Sequence, residues 1–187
     1  MGTTIKMNLS QASIKQAMKE LQEYKKRMLK NCEVFVKRLA EMGISVAEQN
    51  VSDDYRPYIL FGVDVEGDNN DVRAIMYATN TGLIRSEWRT NNTAGGVAEA
   101  DVSPILMAEF GAGLMADEAN PNAKKFGMGT GTFPGQTHAE DPEGWWYMDL
   151  DYEWHHSYGV MPTMPMAHAA EEMIDNIGRV AREVFRT

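Results

Sequence analysis

From Ser10 to Gly43 the apolar residues Ile14, Met18, Leu21, Met28, Cys32, Phe35, Leu39 and Met42 recur at alternating three- and four-residue steps. That spacing places them on one side of an α-helix. Lys25 interrupts the stripe once, with Tyr24 beside it. Ser10 is placed to cap the helix start and Gly43 to end it. The pattern therefore predicts a single helix of about 30 residues, about 45 Å long at ~1.5 Å per residue. Such a helix is long for a chain of 187 residues. Its stripe must be covered by the chain's own core, or partly by another chain.

The middle of the chain changes period. ISVAEQNV (44–51), YILFGVDV (58–65), VRAIMYAT (72–79), LIRSEWRT (83–90) and VAEADV (97–102) read as strands separated by Gly, Asn and Asp clusters. Short connections such as EGDNND and NTG favour antiparallel neighbours. SPILMAEF (103–110) reads as a short helix opened by Ser-Pro. Residues 111–144 are too long and too rich in Gly and Pro for an ordinary connection. WWYMD and YEWHHS then form two short aromatic strands around Leu150 and Asp151. A last helix runs from Pro165 to Phe185, with Met166, Ala169, Met173, Ile177, Val180 and Val184 on its apolar face. The fold expected is α+β: a long N-terminal helix packed on an antiparallel sheet of about four or five strands, a long glycine-rich and aromatic loop or hairpin arm, and a C-terminal helix. Residues 1–187 are read as one domain, with 111–160 as an extended arm inserted in it.

Composition narrows the function classes. No apolar run approaches the ~20 residues that span a bilayer, and MGTTIKMNLSQ lacks the apolar core of a signal peptide, so the expectation is a soluble protein made in a cytoplasm, with no membrane partner. Cys32 is the only cysteine, which excludes an intrachain disulfide and a thiolate metal cluster. The net charge of −9 is unevenly spread: residues 1–38 hold nine Lys/Arg against three Asp/Glu, and residues 39–187 hold nine against 24. The simple reading of the first segment is the solvated face of a helix. The sharper one is that basic and acidic surfaces of neighbouring copies meet. The acidic body would repel nucleic-acid phosphates.

No catalytic pattern is assembled. The histidines are His138, His155, His156 and His168. On a strand, His155 and His156 point to opposite faces and cannot readily share one ion. A metal site would have to combine His138, Asp141 and one of the pair by folding, which no spacing demands. Asp149, Asp151 and Glu153 alternate as in a calcium loop, without its central glycine or its distant bidentate glutamate. GMGTGTFPG (127–135) has neither a strand before it nor a Lys-Ser/Thr after it, so no phosphate loop is expected. Cys32 lies on the apolar stripe and reads as a small core residue. No cofactor is expected. What remains is interface material: Trp145, Trp146, Tyr147, Tyr152, Trp154 and Tyr158, with Met148, Met161, Met164 and Met166. His155 and His156 are read as hydrogen-bonding members of that aromatic hairpin.

Three segments carry a family resemblance. Thr81-Gly82-Leu83-Ile84-Arg85-Ser86 is similar to a Thr-Gly-x-Leu/Ile-Arg-x-Ser motif. Ala108-Glu109-Phe110-Gly111-Ala112-Gly113 is similar to Val-Glu-Phe-Gly-Thr-Gly. Met161-Pro162-Thr163-Met164-Pro165-Met166-Ala167-His168-Ala169 is similar to Arg-Pro-Phe-x-x-Pro-Ala, but lacks its Arg and Phe. In this order the chain resembles the tailed-bacteriophage neck proteins, also called minor tail, tail-completion or head–tail joining proteins. The GWWY and EWHHSYG segments resemble an insertion in the longer members from phages of Gram-positive hosts. The resemblance covers about residues 75–187.

The resemblance implies an α+β domain, a structural and non-enzymatic role, and a homo-oligomeric ring in the neck or upper tail of the virion. It implies assembly in the host bacterial cytoplasm. The partners implied are other copies of the chain, a head-closure or adaptor protein above, and a tail terminator or tail tube below. DNA would pass through the ring without sequence-specific binding, past a lumen dominated by Asp and Glu. Two other readings stand beside it: a metal-dependent hydrolase using His138, Asp141 and His155 or His156, and an assembly factor absent from the mature particle.

Overall fold

The computed structural model describes residues 10–90, 96–117, 120–129 and 142–186, with the side chains of 121 and 145 excepted. The element order is helix α1 (Gln11–Asn50), a 3-10 turn (Arg56–Tyr58), strands β1 (Ile59–Gly67), β2 (Val72–Asn80), β3 (Ile84–Arg89) and β4 (Val97–Val102), helix α2 (Pro104–Phe110), strand β5 (Ala112–Gly113), helix α3 (Pro121–Lys125), strands β6 (Trp145–Met148), β7 (Trp154–Ser157) and β8 (Gly159–Val160), and helix α4 (Pro165–Phe185). The fold is α+β with antiparallel pairing. β1 and β2 form one sheet, β4-β3-β6-β7 a second, and β5-β8 a third. Most elements fall where the periodicity put them.

The first departure is at Gly43. α1 does not stop there, and residues 44–50 are its last two turns rather than a strand. The reason is packing. A Cβ on Gly43 would lie 2.8 Å from the Met173 sulfur and 2.9 Å from the Met76 sulfur, so the missing side chain lets two methionines close on the helix. The apolar stripe runs on through Ala47 and Val51, both buried. α1 ends where Arg56 folds back: its guanidinium donates to the carbonyls of Glu48 (3.1 Å) and Val51 (2.9 Å), and Asn50 Nδ2 donates to the Val46 carbonyl. The Glu48 carbonyl is one of those that the end of a helix leaves without an intrahelical partner.

The chain divides into two compact units. The first is built from the described parts of Met1–Ser45, Gly62–Tyr77 and Ala170–Thr187. In it Phe35 of α1 packs on Phe185 of α4, with ring centroids 5.9 Å apart, and Arg38 pairs with Glu183. Asp68 closes the β1–β2 turn by accepting from the amides of Asn70 and Asp71, and Lys25 of α1 donates to Asn70.

The second unit is built from the described parts of Val46–Phe61 and Ala78–Ala169. Its core has two clusters: Val51, Ile59 and Ala108, and Val102, Met107 and Ala112, with Tyr55 packing on both. β3 and β4 pair from Ile84↔Val102 to Arg89↔Val97. Ser103 caps α2 by accepting from the Leu106 amide, and Asn80 fixes that cap, donating to the Ser103 hydroxyl and accepting from the Ile105 amide.

Candidate functional site

The second and third sequence landmarks meet in space. The Ala108 carbonyl accepts from the amides of Thr163 (2.8 Å) and Met164 (3.0 Å). Gly111, at φ +67°, lies so close that a Cβ would sit 2.4 Å from the Val160 carbonyl oxygen and 2.8 Å from Pro162 Cδ. β5 pairs β8 through Ala112↔Val160 and Gly113↔Gly159. Pro165 and Ala169 are buried, and Phe110 stacks on Phe126.

Glu109 is the centre of this joint. Among the described residues it is the buried charged side chain, at 9% exposure. Its carboxylate accepts from the amides of Met166 (2.8 Å) and Ala167 (3.1 Å). These are the second and third residues of α4, whose amides a helix's own capping residue normally satisfies. Here that residue is Met164, at φ +48°, whose side chain carries no oxygen. Its carbonyl takes the first helical bond, from His168, and the cap is supplied from α2 instead. Burial pushes the Glu109 carboxyl above its ordinary value, against the pull of the two amides and of His168.

Gly82, Leu83, Arg85 and Ser86 are not part of this joint. They form the β2–β3 connection and the start of β3. Leu83 is exposed, and Arg85 pairs on the surface with Glu87 and Glu99.

The aromatic segment forms the β6–β7 hairpin, in the register Trp145↔Ser157, Trp146↔His156, Tyr147↔His155 and Met148↔Trp154. Alternation puts Trp146, Met148, Trp154 and His156 on one face and Tyr147 and His155 on the other. The adjacent histidines do point apart: His156 stacks on Trp146 at 4.5 Å between centroids, and His155 on Tyr147 at 5.3 Å. His156 also donates from Nε2 to the Glu143 carbonyl and packs against Tyr158. Trp146 is 61% exposed, and Trp154, Tyr158 and Tyr147 are exposed too. Trp145 is placed by its backbone register alone, opposite Ser157.

The hairpin loop is more ordered than its sequence suggests. Asp149 Oδ1 accepts from the amides of Asp151 and Glu153, both at 2.9 Å, and Oδ2 accepts from His155 Nε2 at 2.7 Å. Backbone bonding from Glu153, then the His155 contact, hold the Asp149 carboxyl below its ordinary value. From β3, Arg89 donates to the Leu150 carbonyl (2.9 Å) and lies 3.5 Å from the centroid of the Tyr152 ring. Tyr152 is in the left-handed region at φ +68°. Arg89 was not singled out from the sequence, since nothing local marks a residue whose partners lie in another hairpin.

Asp149, Glu153 and His155 bring one ligand atom each within 4.8 Å of one another, a set of two oxygens and one nitrogen that fits a divalent ion. Of the predicted ligands only His155 belongs to it; His156 faces the other way, and His138 and Asp141 lie outside the described residues. The His155 nitrogen that faces the carboxylates carries the proton it gives to Asp149, so a metal would have to displace a bond already formed. The calcium-like alternation is also resolved: Asp151 contributes its amide to the turn and is not a member of the cluster.

Two surface concavities are lined by described residues of the first unit. One, of about 610 Å³, is lined by Lys26, Arg27 and Lys30 together with Glu33 and Asp68, a mixed set that selects no one sign of ligand. The other, of about 300 Å³, is lined by apolar side chains, between Leu39 and Ala40 of α1, Met76 of β2, and Met173, Ile174 and Ile177 of α4. No helix among the described residues is long and apolar enough to cross a membrane. Compared with protein-family models, curated proteins and solved structures, the chain finds no match in any of the three.

Proposed function

We propose that this chain is a structural protein of the tailed-phage neck, assembling as a homo-oligomeric ring around the DNA channel. The observation that carries the reading is the exposed aromatic hairpin. Trp146, Trp154, Tyr158 and Tyr147 stand in water on a loop locked by Asp149 and Arg89. Exposed aromatic surface on a rigid support is the chemistry of a contact waiting for its partner. In this reading the partners are other copies of the chain and the neck or tail proteins above and below it. The acidic surplus of residues 39–187 lines the lumen and keeps DNA from adhering as it passes.

Native mass spectrometry of the purified chain tests the reading. It is expected to give one closed oligomer, and mass spectrometry of purified virions is expected to contain the chain. A monomer at all concentrations would refute the ring. Virions lacking the chain would move the role to an assembly factor. A second reading, a metal-dependent hydrolase, draws support from Asp149, Glu153 and His155 alone. Stoichiometric zinc or manganese retained through gel filtration, lost in His155→Ala, and accompanied by a chelator-sensitive hydrolytic activity, would favour it.

A further inference from the structure

We infer that the N-terminal half of α1 docks into the apolar groove of the first unit of a neighbouring copy, making a head-to-tail seam; this rests on the ring reading and names its surfaces. The α1 stripe is covered unevenly: Ala17 on it is buried at 5%, while the larger residues around Ala17 are not. Ile14, Met18 and Leu21 are exposed, Met18 at 57%, although they lie on the same helical face as the half-buried Cys32, Phe35 and Leu39. Steps of four and three residues make the anchors of a helix that lies in a groove. The groove between α1, β2 and α4 is the complementary feature. It is lined by apolar side chains, holds about 300 Å³, and leaves its lining residue Ile174 66% exposed.

The occupant cannot be the same chain's stripe. Met18 and Leu39 sit on one continuous helix, about 30 Å apart at ~1.5 Å per residue, so the stripe cannot fold back into its own groove. Charge selects a second copy. Lys15, Lys19 and Lys26 flank the stripe with no ion pair among the described residues, and Asp175 stands beside Ile174 in the same condition. The cations that lie in sequence between the groove residues Val36 and Leu39 are already compensated: Lys37 pairs with Glu41 and Arg38 with Glu183. A basic apolar helix therefore meets a groove whose lining residue Ile174 is followed in sequence by the exposed, unpaired Asp175, and both belong to this sequence. Two different patches in contact make a heterologous interface, which closes into a ring when its rotation allows.

Cysteine cross-linking in a Cys32→Ala background tests this. Met18→Cys chains mixed with Ile174→Cys chains are expected to give one disulfide-linked dimer under mild oxidation, and the double variant a ladder of higher oligomers. Lys15→Glu with Lys19→Glu is expected to weaken assembly at least tenfold at low salt, and Asp175→Lys to restore part of it. Circular dichroism checks that each variant keeps its helix content. Dimers formed mainly by Met18→Cys chains alone would overturn the inference in favour of like-with-like helix pairing. Closed rings by native mass spectrometry without the mixed dimer would overturn the seam and spare the neck reading. No assembly under any condition would overturn both.

Discussion

Replacing Glu109 by Gln isolates the borrowed helix cap. The substitution keeps the volume of a buried side chain, so no cavity contributes. It leaves one acceptor oxygen for the amides of Met166 and Ala167 and turns an amide donor on the other. A hydrogen bond to a charged group is worth ~1.5–3 kcal/mol, and loss of a helix cap typically costs ~1 kcal/mol. Against this stands the cost of burying a carboxylate, which Gln does not incur and which is why the Glu109 carboxyl is pushed up. The net expectation is a loss of about 1–2 kcal/mol near neutral pH, read as a lower urea midpoint with unchanged slope. The pH dependence gives a second, sharper readout. A carboxyl raised in the fold contributes stability that is fully present below its ordinary value of 4.5 and is lost as pH rises through the raised value. Gln has no such dependence, so the gap between the two proteins widens on acidification. The protonated acid can still present both oxygens as acceptors, and the amide cannot. A variant as stable as the parent, or a gap that narrows as pH falls, would refute the cap.

Other consequences are simpler. Gly43→Val crowds the sulfurs of Met173 and Met76 and is expected to cost about 2–3 kcal/mol by thermal unfolding, part of it returned by Met173→Ala in the same chain; strictly additive effects would contradict the packing account. Ser52 buries a hydroxyl with no hydrogen-bond partner among the described residues, so Ser52→Ala should be neutral or stabilising by up to about 1 kcal/mol, and a clear loss in a urea titration would mean a partner exists. His155→Ala should raise the Asp149 pKa toward its ordinary value without reaching it, because the amides of Glu153 and Asp151 still hold the carboxylate; a carboxyl-carbon NMR titration that does not move would remove His155 from the turn.

Elements whose signal is local were legible in the sequence. Pro165 opening a stripe of Met173, Ile177, Val180 and Val184 fixed α4, and Ser103-Pro104 fixed α2. The aromatic hairpin was legible as two aromatic runs around Leu150 and Asp151, although its connection takes in Asp149–Glu153 and shortens both strands. What escaped were features set by distant partners. Gly43 carries the local mark of a helix end, and only the methionines of β2 and α4 turn it into a packing position. Ile44 and Val46 carry the β-branched signature of a strand, yet both lie in the last turns of α1, where Ala47 is buried. Glu109 looked like one carboxylate among 27 acidic residues until α4, 57 residues on, supplied its amides. Propensity yields in each case to a tertiary contact that no window of sequence contains.

That distinction separates the three landmarks by physical cause. Glu109, Gly111, Pro162 and Pro165 are explained by folding alone: a buried cap, a close backbone approach and a helix start. Leu83 is not. It is 55% exposed at the β2–β3 turn, and a Cβ at neighbouring Gly82 would meet nothing within 4 Å. Under the proposed function a leucine held in water beside an ion-paired Arg85 is surface for a neighbour. Leu83→Asp should therefore leave the unfolding free energy within ~0.5 kcal/mol of the parent, as exposed substitutions do. The same change should weaken assembly, because a charge buried against an apolar partner costs several kcal/mol. Native mass spectrometry and thermal unfolding of one preparation decide it. A loss of stability as large as that of Glu109→Gln would place Leu83 with the folding residues, and full stability with undiminished assembly would strip the first landmark of a contact role.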